Sequence, residues 1–521
     1  MGTFQISYED FSGGQYMGNK STNLPKNQFT GENVVSLPDG RLVPVGALTA
    51  GTYTPAGTFT SASILDHWVI GDTKSNAYVF ANWFTSPSTN SSRMIKWTAI
   101  NNGTLFPLTT STSAPNTATV TTLTGTLAGE VAYDNNSAKF YYVSTAGNIY
   151  SVTTAGTIAL VSSALAGLGI TDIAVYGYRL VAWGGTNKRL YYSDTTGATW
   201  ATNNYYEFTG TILQLLIRTN DVVVITENGV FSLVGVLGSN ITNQLIVAQA
   251  NITEGMRDAT VVGRNSYFLD QSLAGSIDGS IYRLTGSQVQ AVATMLTDDM
   301  ITNQAFGLEQ ARVSSVNDGR LVVMLRSGIA YAETTPGTWA RLNFASSLIE
   351  KASTKQQQIG RAGANSLNEY FMVASVDKNT APSYTIKLDR FIHHINGLTN
   401  KDNDFTYSST PSTSSNRPTG TVTLSEYWHS KPFTVKEMFV EYESTANSAI
   451  TASIIPTGNI DVVSANVSSM TSSGVANMTQ SSSATVTERF RPNNANKGFG
   501  VKPQLTIQSA IVKRVILNCE D

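Results

Sequence analysis

An aromatic residue that returns at near-regular intervals constrains this chain more than any other feature. Five segments share one grammar: a turn, an aromatic flanked by apolar or β-branched residues, then polar residues. They read "TAGNIYSVTTAGTIALV" (145–161), "TNKRLYYSDTTGATW" (186–200), "TENGVFSLVG" (226–235), "IDGSIYRLTGSQVQAV" (277–292) and "RSGIAYAETTPGTW" (326–339). Aligned on their aromatics, Tyr150, Tyr191, Phe231, Tyr282 and Tyr331 lie 41, 40, 51 and 49 residues apart. Each follows an apolar run such as "DIAVYGYRLVAWG" or "RTNDVVVITENG", and Asn228-Gly229, Asp278-Gly279 and Asp318-Gly319 are hairpin-turn dipeptides. A unit of about 40 to 50 residues with roughly four short strands cannot bury its apolar faces alone; copies stacked about an axis can, which predicts a β-propeller.

Two weaker units extend the series, "HWVIGDTKSNAYVFANW" with "RMIKWTAI" (67–99) and "NEYFMVASVDKNTAPSYTIKLD" (368–389). Together they predict a seven-bladed propeller over residues 40–395, with six or eight blades as neighbouring possibilities. "RLVPVG" (41–46) is a candidate strand for fastening the last blade. Residues 396–420, dense in Ser, Thr, Asn and Pro, read as a linker or surface loop. Residues 421–521 alternate as strands and are expected to form a small, jelly-roll-like β-sandwich.

Composition agrees with an all-β chain. Of 521 residues only 13% are charged, where about 25% is usual. Net charge is −2, so no global field draws the chain to nucleic acid or anionic membrane. The single cysteine, Cys519, excludes an intramolecular disulfide and a cysteine zinc site. No apolar run approaches the roughly 20 residues of a spanning helix, and no secretory signal opens the chain, so no membrane insertion is expected.

Chemistry is harder to find. The histidines are His67, His393, His394 and His429; the adjacent pair would point to opposite faces of a strand and cannot chelate one ion together. Asp298-Asp299 reads as a solvated turn or a helix cap for "MITNQAFGLEQARV", and pairs such as Asp402/Asp404 arise by chance among 36 acidic residues. No nucleophile elbow, phosphate loop or zinc-protease spacing occurs. No catalytic residue, metal ligand or cofactor is therefore assigned. "YSDTTGATW" (192–200) resembles the Asp-box of sialidase-type propellers through Ser193, Gly197, Thr199 and Trp200. Asp194 stands one position early, and even in sialidases this box is a structural turn; Ser193, Asp194, Gly197 and Trp200 are expected to be one here.

The first 39 residues are the oddity. They are rich in Gly and Asn yet carry Tyr8, Phe11, Tyr16 and Phe29, and read as an extended assembly arm, with an ordered lead-in packed on its own propeller as the alternative. In it the aromatics dock, Gly13 and Gly14 let the backbone bend, and Pro25 holds it extended. "YEDFSGGQ", followed by "LPKNQFTGENVVSLPDGRLVPVG", resembles the start of tailed-phage virion proteins that open with Asp-Phe-Ser-Gly-Gly and pass through Pro-x-Asn-x-Phe into a β-propeller. "IAVYGYRLVAWGGTNKRLYYSDTTGATW", "VVVITENGVFSLVG" and "YFLDQSLAGSIDGSIYRLTGSQV" are similar to blades of the same group. The resemblance implies a non-enzymatic tail hub, nozzle or packaged-DNA stabilisation protein of the virion, assembled in the host bacterial cytoplasm. It implies a ring, often a hexamer, contacting portal and adaptor proteins and tail fibres or tail-tip proteins, with DNA passing through the lumen unread. Two other classes stand beside it: a host-surface carbohydrate-binding adhesin, favoured by clustered exposed aromatics, and a sialidase-like glycosidase.

Overall fold

The computed structural model describes residues 2–17, 24–44, 49–53, 61–70, 76–86, 89–98, 118–184, 186–195, 199–218, 221–235, 241–247, 259–262, 265–269, 280–285, 288–294, 312–315, 321–325, 329–335, 337–343, 349–353, 358–359, 370–377, 385–392, 419–458, 468–472, 484–493 and 497–521. Among them every regular element is a strand. Between residues 49 and 392 these strands form seven separate sheets of the propeller type, antiparallel except where Gln358–Ile359 pairs parallel with Val69 and Ile70 of the first. The second sheet is representative: Ala132–Asp134, Lys139–Val143, Ile149–Thr153 and Ile158–Ser162 pair in sequence order. The third (Asp172–Tyr176, Arg179–Trp183, Arg189–Ser193, Trp200–Glu207) and fourth (Ile212–Ile217, Asp221–Thr226, Gly229–Gly235, Ile241–Val247) repeat that plan. All five aromatics of the sequence repeat fall on the third strand of their sheets.

Why these segments stack follows from their alternation. In a strand successive side chains face opposite ways, and here both faces are apolar. In "KFYYV" Phe140 and Tyr142 pack on Tyr78, Phe80 and Met94 of the first sheet. Tyr141 and Val143 pack instead on Ile173, Leu180 and Ala182 of the third. "RLVAW" continues the relay, with Val181 and Trp183 turned to Ile212, Leu215, Val222 and Val224 of the fourth. Second strands are thus sealed on both sides; Asp221–Thr226 is buried at every position. An unpaired charge on such a strand would be stranded between two sheets, which favours few charged residues; the one acid here, Asp221, sits at the strand's end and is paired with Arg218. Outer strands relax the rule, and Ile158–Ser162 leaves Leu160 exposed. Turns carry the required chemistry: Asp172–Tyr176 and Arg179–Trp183 are joined by Gly177, at φ +60°, and the exposed Tyr178.

The seventh sheet joins distant parts of the chain. Ile349–Ser353, Tyr370–Asp377 and Thr385–Ile392 are completed by Thr49–Tyr53, which pairs antiparallel with Thr385–Ile392. A strand from the start of the propeller therefore does fasten its end, but it lies at 49–53. The expected fastener at 41–46 is corrected: Leu42–Pro44 belongs to the other domain, pairing with Val34–Ser36 and, through Leu42, with Val512.

That other domain is one continuous ten-stranded sheet. Its spine is two long strands, Tyr427–Thr457 and Lys497–Glu520, antiparallel to each other over most of their length with a register slip between Ser444 and Ala449. Residues from both halves of these strands, including Met438, Val440, Ile454, Leu505 and Leu517, share one buried core. Thr419–Leu424, Ser468–Ser472 and Ala484–Pro492 also join it. The N-terminal segment supplies the remaining strands: Thr3–Tyr8, Gly14–Gln15, Gln28–Glu32, Val34–Ser36 and Leu42–Pro44. The expected division into a separate arm (1–39) and a self-sufficient domain (421–521) is thereby corrected. Thr419 and Gly420, expected in the linker, begin a strand, and residues 396–418 lie outside the described residues.

Candidate functional site

The N-terminal segment turns out to be the joint of the molecule. Thr3–Tyr8 lies antiparallel to the end of the chain, from Thr3 opposite Glu520 to Tyr8 opposite Val515. Tyr8, Phe11 and Phe29 are buried in the second domain's core with Val422, Leu424 and Leu517. These aromatics dock on their own chain and are not presented to a neighbour, which corrects the arm reading for all three. The Tyr8 hydroxyl donates to the Ser425 carbonyl at 2.8 Å, and burial pushes its phenol far above the ordinary tyrosine range.

The small residues bend the segment back on itself. Gly14, at φ +67°, begins a short parallel pairing of 14–15 with 28–29. Gly13 N donates to Asn27 O and Tyr16 N to Phe29 O, while Pro25 opens the turn closed by Gln28 N. Pro25 thus serves a reversal and not the extended run expected of it. Tyr16 is only half-buried.

From this fold-back the segment reaches the propeller. The outer strand of the sixth sheet, Thr338–Asn343, receives it. Asn33 adopts φ +56°, a conformation Asn tolerates better than most residues. Its backbone N donates to Arg341 O at 2.9 Å and its Oδ1 accepts from Asn343 N at 2.8 Å. Glu32 next to it takes Arg341 on one carboxylate oxygen and Asn343 Nδ2, at 2.6 Å, on the other. A side chain at Gly14 would drive into Thr338 and Trp339, so the close approach there requires glycine. Sequence reasoning missed Glu32, Asn33, Arg341 and Asn343, because nothing local marks residues more than 300 positions apart as partners.

The 193–200 turn is a built hairpin corner on the third sheet. Ser193 is fully buried; its Oγ accepts from Leu180 N at 2.9 Å and donates to Asp194 O at 2.8 Å. Asp194 N donates to Thr199 O, and Asp194 Oδ1 accepts from Thr199 N at 3.3 Å. Trp200 packs in the core between the second and third sheets. Gly197 lies outside the described residues, as do His393, His394, Asp298, Asp299, Asp402 and Asp404. His429 is stacked on Phe4 at 4.8 Å, and its Nδ1 lies 3.2 Å from the Lys431 N that donates to it. Among the described residues no group of three His, Cys, Asp or Glu side chains converges, and no helix is long and apolar enough to cross a membrane.

No family profile matches the chain, and no curated protein matches it. Solved structures give distant likenesses. PorZ, a surface component of the type-IX secretion system of Porphyromonas gingivalis, is 14% identical over 64% of this chain at a TM-score of 0.37, and this chain spans only 38% of it. The WD40 β-propeller domain of Doa1 is 9% identical over 66% of this chain and 97% of its own, at 0.39. The WD40 domain of Toxoplasma gondii coronin is 6% identical over 67% and 88%, at 0.38. Scores so low carry no functional argument.

Proposed function

We propose that this chain is a non-enzymatic structural protein of a bacteriophage tail, of the hub, nozzle or packaged-DNA stabilisation type. One observation carries the reading: the residues of the phage-like opening are the residues of the joint. Phe11 and Phe29 fill the second domain's core, and Phe11 N donates to Gly40 O. Asn27 accepts from Gly13, and Asn33 bonds the sixth sheet. The motif is therefore an architectural device that ties a propeller to a second β-domain, which suits a part that must transmit load without bending.

In this reading the seven sheets close as a seven-bladed ring, with Thr49–Tyr53 as its fastener, and the second domain is a jelly-roll-like sandwich. Copies form a ring, often of six, in the virion tail. They contact portal and adaptor proteins on one side and fibres or tail-tip proteins on the other, and a weakly charged lumen lets DNA pass without sticking. The adhesin alternative is not advanced, because the two exposed aromatics among the described residues, Tyr178 and Trp428, sit on different domains. The deciding experiment is mass spectrometry of purified virions from the phage that encodes the chain, with immunogold labelling. Label on the tail and several copies per particle are expected. Absence from the particle would overturn the proposal.

A further inference from the structure

The outer face of the second domain holds two buried side-chain oxygens, of Glu426 and Thr457, that lack hydrogen-bond partners. Tyr427–Thr457 curls so that both its ends flank the same residue: Trp428 and Thr457 each pair with Gly500, from opposite sides. Side chains of Glu426, Trp428 and Thr457 share the face turned away from the core, whereas Ile454 and Val501 face inward. Gly500 leaves a gap in that face. A Cβ there would press on Thr457 Oγ1 and lie 3.1 Å from the Tyr427 carbonyl oxygen and 3.2 Å from Glu426 Oε1. The half-exposed Trp428 ring lies against Gly458, the residue after Thr457.

Two of the oxygens around this gap are unsatisfied. The Glu426 side chain is only 2% exposed, and its Oε1 is buried with no hydrogen-bond partner. Thr457 Oγ1 is likewise buried and unpartnered. Glu426 Oε2 has Lys502 Nζ at 3.4 Å, a long contact from a side chain that is 29% exposed. A buried carboxylate oxygen calls for positive charge or a donor, and the Thr457 hydroxyl, the one donor beside it, makes no hydrogen bond to it.

We propose that Glu426 Oε1, Thr457 Oγ1 and the Tyr427 carbonyl bind a hard cation of the calcium class, with Trp428 nearby. The donors are all oxygen, with neither sulfur nor imidazole, which selects hard ions. Calcium accepts irregular coordination and completes it with water, whereas magnesium demands a near-ideal octahedron. Lys502 is the built-in competitor: it balances the carboxylate when no ion is bound and swings out on its flexible stem when one arrives. This inference does not rest on the tail assignment.

Terbium, a luminescent calcium substitute, tests it on the full chain, because Trp428 and Tyr427 are placed to sensitise its emission. Saturable emission displaced by calcium is expected, with affinity at least tenfold lower in Glu426→Gln and severalfold lower in Thr457→Val. Lys502→Gln is expected to bind severalfold tighter, since it removes the competing charge. Circular dichroism checks each fold, and if Glu426→Gln does not fold, the other two variants decide. No saturable emission, unchanged binding in Glu426→Gln, or weaker or unchanged binding in Lys502→Gln overturns the proposal; a water in the gap gives the first of these results.

Discussion

Phe29→Ala separates an integral N-terminal segment from a detachable arm. Phe29 is fully buried, sits opposite Leu424, and packs in the core of the second domain. Truncation to Ala removes about 100 Å² of buried apolar surface, worth about 2.5 kcal/mol at roughly 25 cal/mol per Å². A residual cavity of about 60 Å³ adds about 1.5 kcal/mol at roughly 24 cal/mol per Å³. The total of about 4 kcal/mol falls within the range of about 3–5 measured for buried Phe→Ala changes. At about 3 °C per kcal/mol for a domain of this size, the second domain's melting midpoint drops by about 12 °C. Differential scanning calorimetry of the full chain reads it, with the half-buried Tyr16→Ala as the companion expected to lose far less. A Phe29→Ala midpoint within about 1 °C of the parent would refute the packing argument and restore the arm.

Two further outcomes follow from burial. Tyr78 is pushed up to about 12 by burial, and burial also raises Tyr8, Tyr142 and Tyr442, the last aided by the nearby Glu488 carboxylate. Their folded values exceed the unfolded value of about 10. Their contribution is therefore whole below pH 10 and is lost as pH climbs toward and through 12. Absorbance at 295 nm should show these rings ionising only with unfolding, and titration of all 22 tyrosines near pH 10 in the folded chain would contradict this. Ser193→Ala leaves the buried Leu180 N–H without its acceptor, at a cost of about 1–3 kcal/mol; a urea midpoint that does not move would show the turn to be dispensable.

The propeller was legible because its information is local and repeated. Each sheet carries its own turns and its own doubly apolar strands, so Tyr150, Tyr191 and Phe231 announced third strands without help from elsewhere. The seventh sheet was half legible: "TAGTY" at 49–53 has little hydrophobic signal, and the more apolar Leu42-Val43-Pro44 drew the assignment to itself. The joint was not legible, since Glu32 and Asn33 have meaning only beside Arg341 and Asn343. One signal was available. Phe4, Ile6 and Tyr8 alternate as a half-buried strand does.

The pairing of Thr3–Tyr8 with residues 515–520 also sets a timetable. A ribosome adds about 5–20 residues per second, so this strand leaves the tunnel on the order of half a minute to two minutes before its partner exists. Through that interval Ile6, Tyr8, Phe11 and Phe29 have no core to enter. Thr49–Tyr53 likewise waits for Thr385–Ile392, while the second to fourth sheets can form as they emerge. Thr3–Tyr8 is thus made long before it can fold, and slowing synthesis lengthens the exposure of Ile6, Tyr8, Phe11 and Phe29.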